Sequence, residues 1–154
     1  MLRSALIGAI AGARSMTPLA AVSDAARRDV LPPDNGAPAL LGQPLVAAGT
    51  AALAAGEIAG DKWHRAPNRI VPSGMAARIV TGAVAGAALA PRAQRTTAAL
   101  VGAGAAVAAS YLTFAARMRA LRRFGQFRSG LVEDALVLGG TWYVVNRMGR
   151  QEAG

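Results

Sequence analysis

TTAALVGAGAAVAASYLTFAA occupies residues 96–116, and no charge interrupts its twenty-one positions. A helix crossing the hydrocarbon core of a bilayer needs about 20 mostly apolar residues. A helix of a soluble Ala-rich bundle would instead keep a polar face at the helical period, and the scattered hydroxyls of this run build none. Composition agrees with the membrane reading: hydrophobic residues make up 53% of the chain and charged residues 16%, against about 25% charged in soluble domains. The run therefore reads as a membrane-spanning helix.

The rest of the chain repeats the theme with less margin. Residues 37–56 are also free of charge. Residues 79–91 and 135–146 are shorter, and reach spanning length only by taking in Arg78 in one case and Glu133 with Asp134 in the other. The N-terminal run, 2–22, is long enough but carries Arg14. The expected fold is an all-α polytopic membrane bundle of four or five transmembrane helices in one domain, at about 2–22, 37–60, 74–91, 96–116 and 130–146. Ala and Gly insert weakly beside Leu or Ile, so such helices gain by packing as hairpins. The second with the third and the fourth with the fifth form two hairpins of related layout, each closed by a basic loop ending in Ser-Gly (Ser73-Gly74 and Ser129-Gly130). A cleaved signal peptide would need an unbroken apolar core and a small-residue cleavage pattern; Arg14 cuts that core short.

The formal net charge is +9, and all but one of the 17 basic residues are arginine. Such a balance suits phosphates, in nucleic acid or in anionic lipid. With no nucleic-acid motif and no aromatic stacking platform, the expected partners are the bilayer and its anionic headgroups, with Arg119, Arg122, Arg123 and Arg128 as headgroup contacts. The basic residues of 61–73 and 117–129 put these two loops in the cytoplasm by the positive-inside rule. The N-terminus is then inside and the C-terminus outside an inner membrane. Trp63, Trp142 and Tyr143 fit an interfacial aromatic belt. The chain has no cysteine, which excludes disulfides and thiolate metal sites.

The remaining charge is concentrated. Glu57 and Asp61 are one helical turn apart on a shared face, beside Gly56 and Gly60. Small residues four apart let membrane helices approach closely, and Gly8/Gly12 and Gly82/Gly86 repeat the spacing. Glu57, Asp61, Glu133 and Asp134 are expected to face Arg78, and Arg117 beside it, where helices leave the membrane; the plain alternative is charged helix ends reaching for headgroups. Arg14 is deep in its segment, where a charge is costly and usually paired. Its neighbours Ser15, Thr17 and Pro18 mark a broken helix. The segment GARSMTP, residues 12–18, is either irregular backbone lining a cavity or the end of a short interfacial helix. His64, in a basic loop, reads as surface. No catalytic set, metal-ligand spacing or cofactor motif is present, and no enzyme is expected.

GARSMTPLAAVS (residues 12–23), the Gly-Glu-x-x-Gly-Asp stretch running into PNRIVPSG (residues 56–74) and GLVEDALV (residues 130–137) together resemble an uncharacterised membrane family, the domain-of-unknown-function family 4126. The resemblance covers nearly the whole chain and implies a small polytopic membrane protein without adding an activity. Two functions fit these residues. One is a transporter or channel for a small solute or ion, with Arg14, Ser15, Thr17 and Pro18 on the path and Glu57, Asp61, Arg78, Glu133 and Asp134 as a charged gate. The other is a non-transporting assembly protein that docks through small-residue helix faces and an Arg-rich lipid-facing loop. The small size favours a homo-oligomer.

Overall fold

The computed structural model describes residues 1–60, 72–124 and 126–147. Among these residues the structure is helical: α1 (Leu2–Ala13), α2 (Met16–Arg27), α3 (Pro44–Gly60), α4 (Pro72–Ala88), α5 (Arg95–Phe124) and α6 (Gln126–Trp142). Short 3-10 turns cover Ala39–Gly42 and Arg92–Gln94, and a π-helical turn, Tyr143–Arg147, extends α6.

The centre is a three-helix stack of α1, α4 and α5, and glycine is what lets it close. A Cβ on Gly8 would come within 2.2 Å of the Gly102 carbonyl oxygen, and one on Gly102 within 2.2 Å of the Gly82 oxygen. No side chain fits there, so the backbones themselves touch and van der Waals contact replaces interdigitated side chains. Ser4 donates to the Gly86 carbonyl (3.0 Å) and Ser110 to that of Gly12 (3.2 Å), pinning α1 against α4 and α5. α2 and α3 form the second layer. A core of Ile7, Val22, Ala25, Leu31, Leu41, Ala85, Ala88, Leu89, Val144 and Val145 joins the layers at one end of the bundle.

The N-terminal run is not one helix but two, both of whose outer ends reach that same end. Arg3, at the start of α1, lines a hollow with Pro32–Asp34 and Leu89–Pro91, and Leu31, just past α2, packs in the core with Leu89. α1 and α2 therefore make a V with its apex at Arg14–Ser15. The N-terminus therefore lies at the end of the bundle that holds the 32–34 loop and the Leu89–Pro91 turn, opposite the last turns of α5. α2 stops in a Schellman motif. Val30 N–H donates to the Ala25 carbonyl (3.1 Å) and Asp29 N–H to that of Ala26 (3.2 Å), with Asp29 in the left-handed region at φ 53. The following loop is tied to the α4–α5 turn by Gly36 N–H to the Ala90 oxygen (2.8 Å) and Arg92 N–H to the Asp34 oxygen (2.6 Å).

Other boundaries move for local reasons. Residues 37–43 are not α-helical, because Pro38 and Pro44 lack the N–H that would continue the ladder; Pro44 instead opens α3 at a position where proline is tolerated. Helix α5 runs on through the arginines to Phe124, and α6 starts at Gln126, so most of the expected 117–129 loop is helix. Helices α3 and α4 barely touch; the first expected hairpin is not packed as one, because the glycines of α4 are spent on α1 and α5. Among the described residues one helical stretch, Arg92–Ala116, is long and apolar enough by itself to cross a membrane.

Beside this apolar core, polar side chains are also buried while large apolar ones lie on the surface. Arg14, Ser15, Ser23, Thr50, Arg78, Thr81, Ser110, Asp134 and Thr141 are buried, whereas Leu45 (85% exposed), Leu53, Leu100, Leu112, Val132, Leu136 and Trp142 face outward.

Candidate functional site at the helix break

Arg14 is extended (φ −143, ψ 120) between two helices. Helix α1 closes with Arg14 N–H bonded to the Ile10 carbonyl (2.9 Å), and the chain re-enters helix at Ser15. Pro18 falls in the first turn of α2, where no intrahelical N–H is needed. The break thus leaves a helix N-terminus inside the bundle, and buried orphan N–H groups there require acceptors.

Glu57 supplies them. Its Oε1 accepts from the Ser15 N–H and the Ser15 hydroxyl (both 3.0 Å), and its Oε2 accepts from the Met16 N–H (2.9 Å). The carboxylate caps α2 from another helix, with the sign the helix dipole favours at an N-terminus. Glu57 itself lies in the last turn of α3, whose terminal carbonyls are orphaned in turn. Arg14 Nη1 donates to the Glu57 backbone carbonyl (3.2 Å), a cation at a helix C-terminus. Arg14 Nη2 forms an ion pair with Asp134 on α6. Arg14 is 2% exposed. Two helix ends, α2 and α3, meet head to tail, and each receives the charge its dipole prefers, with α6 tethered through Asp134.

The structure brings Arg14, Ser15, Glu57 and Asp134 into one junction. Thr17 and Pro18 are buried in the first turn of α2 beside it. Arg78 is buried on α4, and Glu133 is partly exposed on α6; neither side chain is without a partner. The partner expected for Glu57 and Asp134 was Arg78, and among the described residues Arg14 takes that place: the V of α1 and α2 carries its apex to the level of both acids. Asp61 lies outside the described residues, as do Trp63 and His64. Of the headgroup arginines, Arg119 is exposed on α5; the side chains of Arg122, Arg123 and Arg128 lie outside the described set. Gly56 and Gly60, read as a packing face, meet nothing among the described residues: a Cβ at either would have no heavy atom of them within 4 Å. Among the described residues, no group of three His, Cys, Asp or Glu side chains converges.

Sequence reasoning missed the buried hydroxyls of Thr141 on α6 and the capping role of Glu57. A carboxylate four residues from a helix end, in a chain with a Ser-x-Thr-Pro break elsewhere, was the available signal, but the pairing spans 42 residues.

No curated protein and no solved structure matches the chain. The match lies at the level of the family model, which takes in both halves of the junction, the 12–23 segment and the 130–137 segment. The chain belongs to the family described as Domain of unknown function (DUF4126), whose model matches residues 1–147.

Proposed function

We propose that the chain is a multi-pass integral membrane protein in which the Arg14–Glu57–Asp134 junction gates a path for a small anionic solute. The observation that carries this reading is the helix break itself. Discontinuous helices whose ends face one another inside a bundle are how membrane transporters present backbone dipoles to solutes, and irregular backbone at such depth is tolerated where it is buried in protein or lines a cavity. The inside-out distribution of side chains supports the membrane location, since apolar surface of this extent on α3, α5 and α6 needs a lipid or protein cover. In the closed junction Glu57 occupies the N-terminus of α2. Withdrawing it exposes two N–H groups beside the Arg14 guanidinium, a cradle for an anion. The helix through Phe124 carries the dense arginines, and that end is cytoplasmic under the positive-inside rule; the 32–36 loop and the N-terminus face the other side.

Single cysteines test the path in this cysteine-free chain. Cysteine at Ser15 is expected to react with a small polar thiol reagent from one side of the membrane, with Asn35 and Arg119 labelling from opposite sides. Protection of position 15 in both orientations of a vesicle would rule out an aqueous path.

A second reading, an assembly protein, is favoured by the face of α3 where Gly49, Gly56 and Gly60 have no neighbour among the described residues. A second copy of the chain seated there would use the close approach that glycine permits. Cysteine at Gly56 is then expected to cross-link chain to chain, while flux across vesicles stays at the level of the lipid alone.

A further inference from the structure

A second feature adjoins the charged junction on the outer side of α2. Helices α3 and α6 flank α2 and barely touch each other. The gap is a cleft of about 480 Å³ lined by Ala51, Ala55 and Ile58 of α3, Leu138 and Trp142 of α6, and the Ala20–Ala21 face of α2. That volume is in the range of small-molecule sites, roughly 300–1,000 Å³. Its uncharged polar lining is Asn146, whose amide donates to the Trp142 carbonyl (3.1 Å), and two buried threonines, Thr17 (5% exposed) and Thr141 (2% exposed), neither of whose hydroxyls has a hydrogen-bond partner among the described residues.

Their isolation is unusual within this protein. Thr50, Thr81, Ser110 and Thr113 each return their hydroxyl to a carbonyl of their own helix, at 2.7–3.3 Å. Thr17 has no such carbonyl behind it, because the break at Arg14 removes the preceding turn. A buried hydroxyl without a partner is costly, so two in one cleft point to something that accepts from them. The walls are apolar, and the charged groups, Asp24 and Arg28, stand at the rim, already paired to each other (2.8 Å). The occupant is therefore uncharged where it is buried and carries acceptor oxygens.

We propose that the α2–α3–α6 cleft binds a neutral, lipid-soluble molecule bearing two carbonyl oxygens, each accepting from one threonine hydroxyl. Cyclic diketones of the quinone type and glycerol diesters share this chemistry. Entry is sideways between α3 and α6; that route rests on the membrane reading, whereas binding does not.

Trp142 lies on the cleft wall and reports occupancy. In the full chain carrying Trp63→Phe it is the sole tryptophan. In detergent solution, decylubiquinone is expected to quench it saturably. Thr17→Val and Thr141→Val should each weaken binding about two- to tenfold, as for loss of one neutral hydrogen bond. Ala55→Leu, which fills the cleft from an exposed position, should abolish the saturable component while helicity and elution volume stay unchanged. Displacement of the quinone by dioctanoylglycerol would extend the site to diesters, and failure to displace would restrict it to cyclic diketones. Quenching that rises linearly with quinone and is the same in the Ala55→Leu and threonine variants would overturn the proposal. Membrane insertion is read separately, by resistance to alkaline extraction, so failure of one reading does not mask failure of the other.

Discussion

Replacing Glu57 by glutamine tests the junction with one atom changed. The carboxylate accepts three hydrogen bonds, two at Oε1 from Ser15 and one at Oε2 from the Met16 N–H. Glutamine has one acceptor oxygen. Turned toward Ser15, it leaves its NH2 facing the Met16 N–H, donor against donor. One charge-assisted bond is lost, worth about 1.5–3 kcal/mol. The two remaining bonds become neutral, and charged bonds are roughly twice as strong. The favourable charge at the α2 N-terminus, about 0.3–1 kcal/mol, also disappears. The sum is a destabilisation of ~3 kcal/mol. The Arg14 bond to the Glu57 carbonyl runs through the backbone and is untouched, so α3 keeps its own cap. Ser15→Ala, which removes only the hydroxyl bond to the carboxylate, is expected to cost about 1.5 kcal/mol, the low end for a bond to a charged group. The assay is equilibrium unfolding in mixed micelles with rising dodecyl sulfate, followed by circular dichroism. If Glu57→Gln unfolds at the wild-type midpoint, or Ser15→Ala costs more than Glu57→Gln, the capping account is wrong.

Other outcomes follow from the same geometry. Arg14→Ala and Asp134→Ala should each cost about 3–5 kcal/mol by stranding a buried charge, while the double variant Arg14→Met/Asp134→Leu should recover most of that loss; the same unfolding assay reads the cycle, and additive single effects would refute the pair. Gly102→Ala should lower the unfolding midpoint sharply, because its Cβ would lie 2.2 Å from the Gly82 carbonyl oxygen, whereas Gly56→Ala, with nothing within 4 Å, should leave the isolated chain unchanged or slightly more stable. Asp29→Val should destabilise by about 1–2 kcal/mol through its left-handed backbone, and Asp29→Gly should be neutral or stabilising by a few tenths, both measured as thermal midpoints in detergent.

Much of this protein is local and therefore legible in the chain. The uncharged run at 96–116 requires a long apolar helix, and α5 contains it. The Arg14-Ser15-x-Thr17-Pro18 spacing marks a helix break, because a deep charge and a proline cannot both sit in an unbroken apolar helix, and the break is there. Glycines four apart announce close helix contacts, and those of α1 and α4 make them. Three things lay beyond the chain because each depends on which helix meets which. The α1–α2 segment could cross or turn back with the same composition, and only its contacts with the 32–36 loop and α4 decide that it turns back. Charge counting could place Glu57 and Asp134 near some arginine, but choosing Arg14 over Arg78 required knowing that the apex of the V reaches the C-terminal turn of α3. Gly56 and Gly60 have the same spacing as Gly82 and Gly86, yet one pair is open and the other closed. Spacing along a helix sets which residues share a face; only packing between helices sets what that face meets.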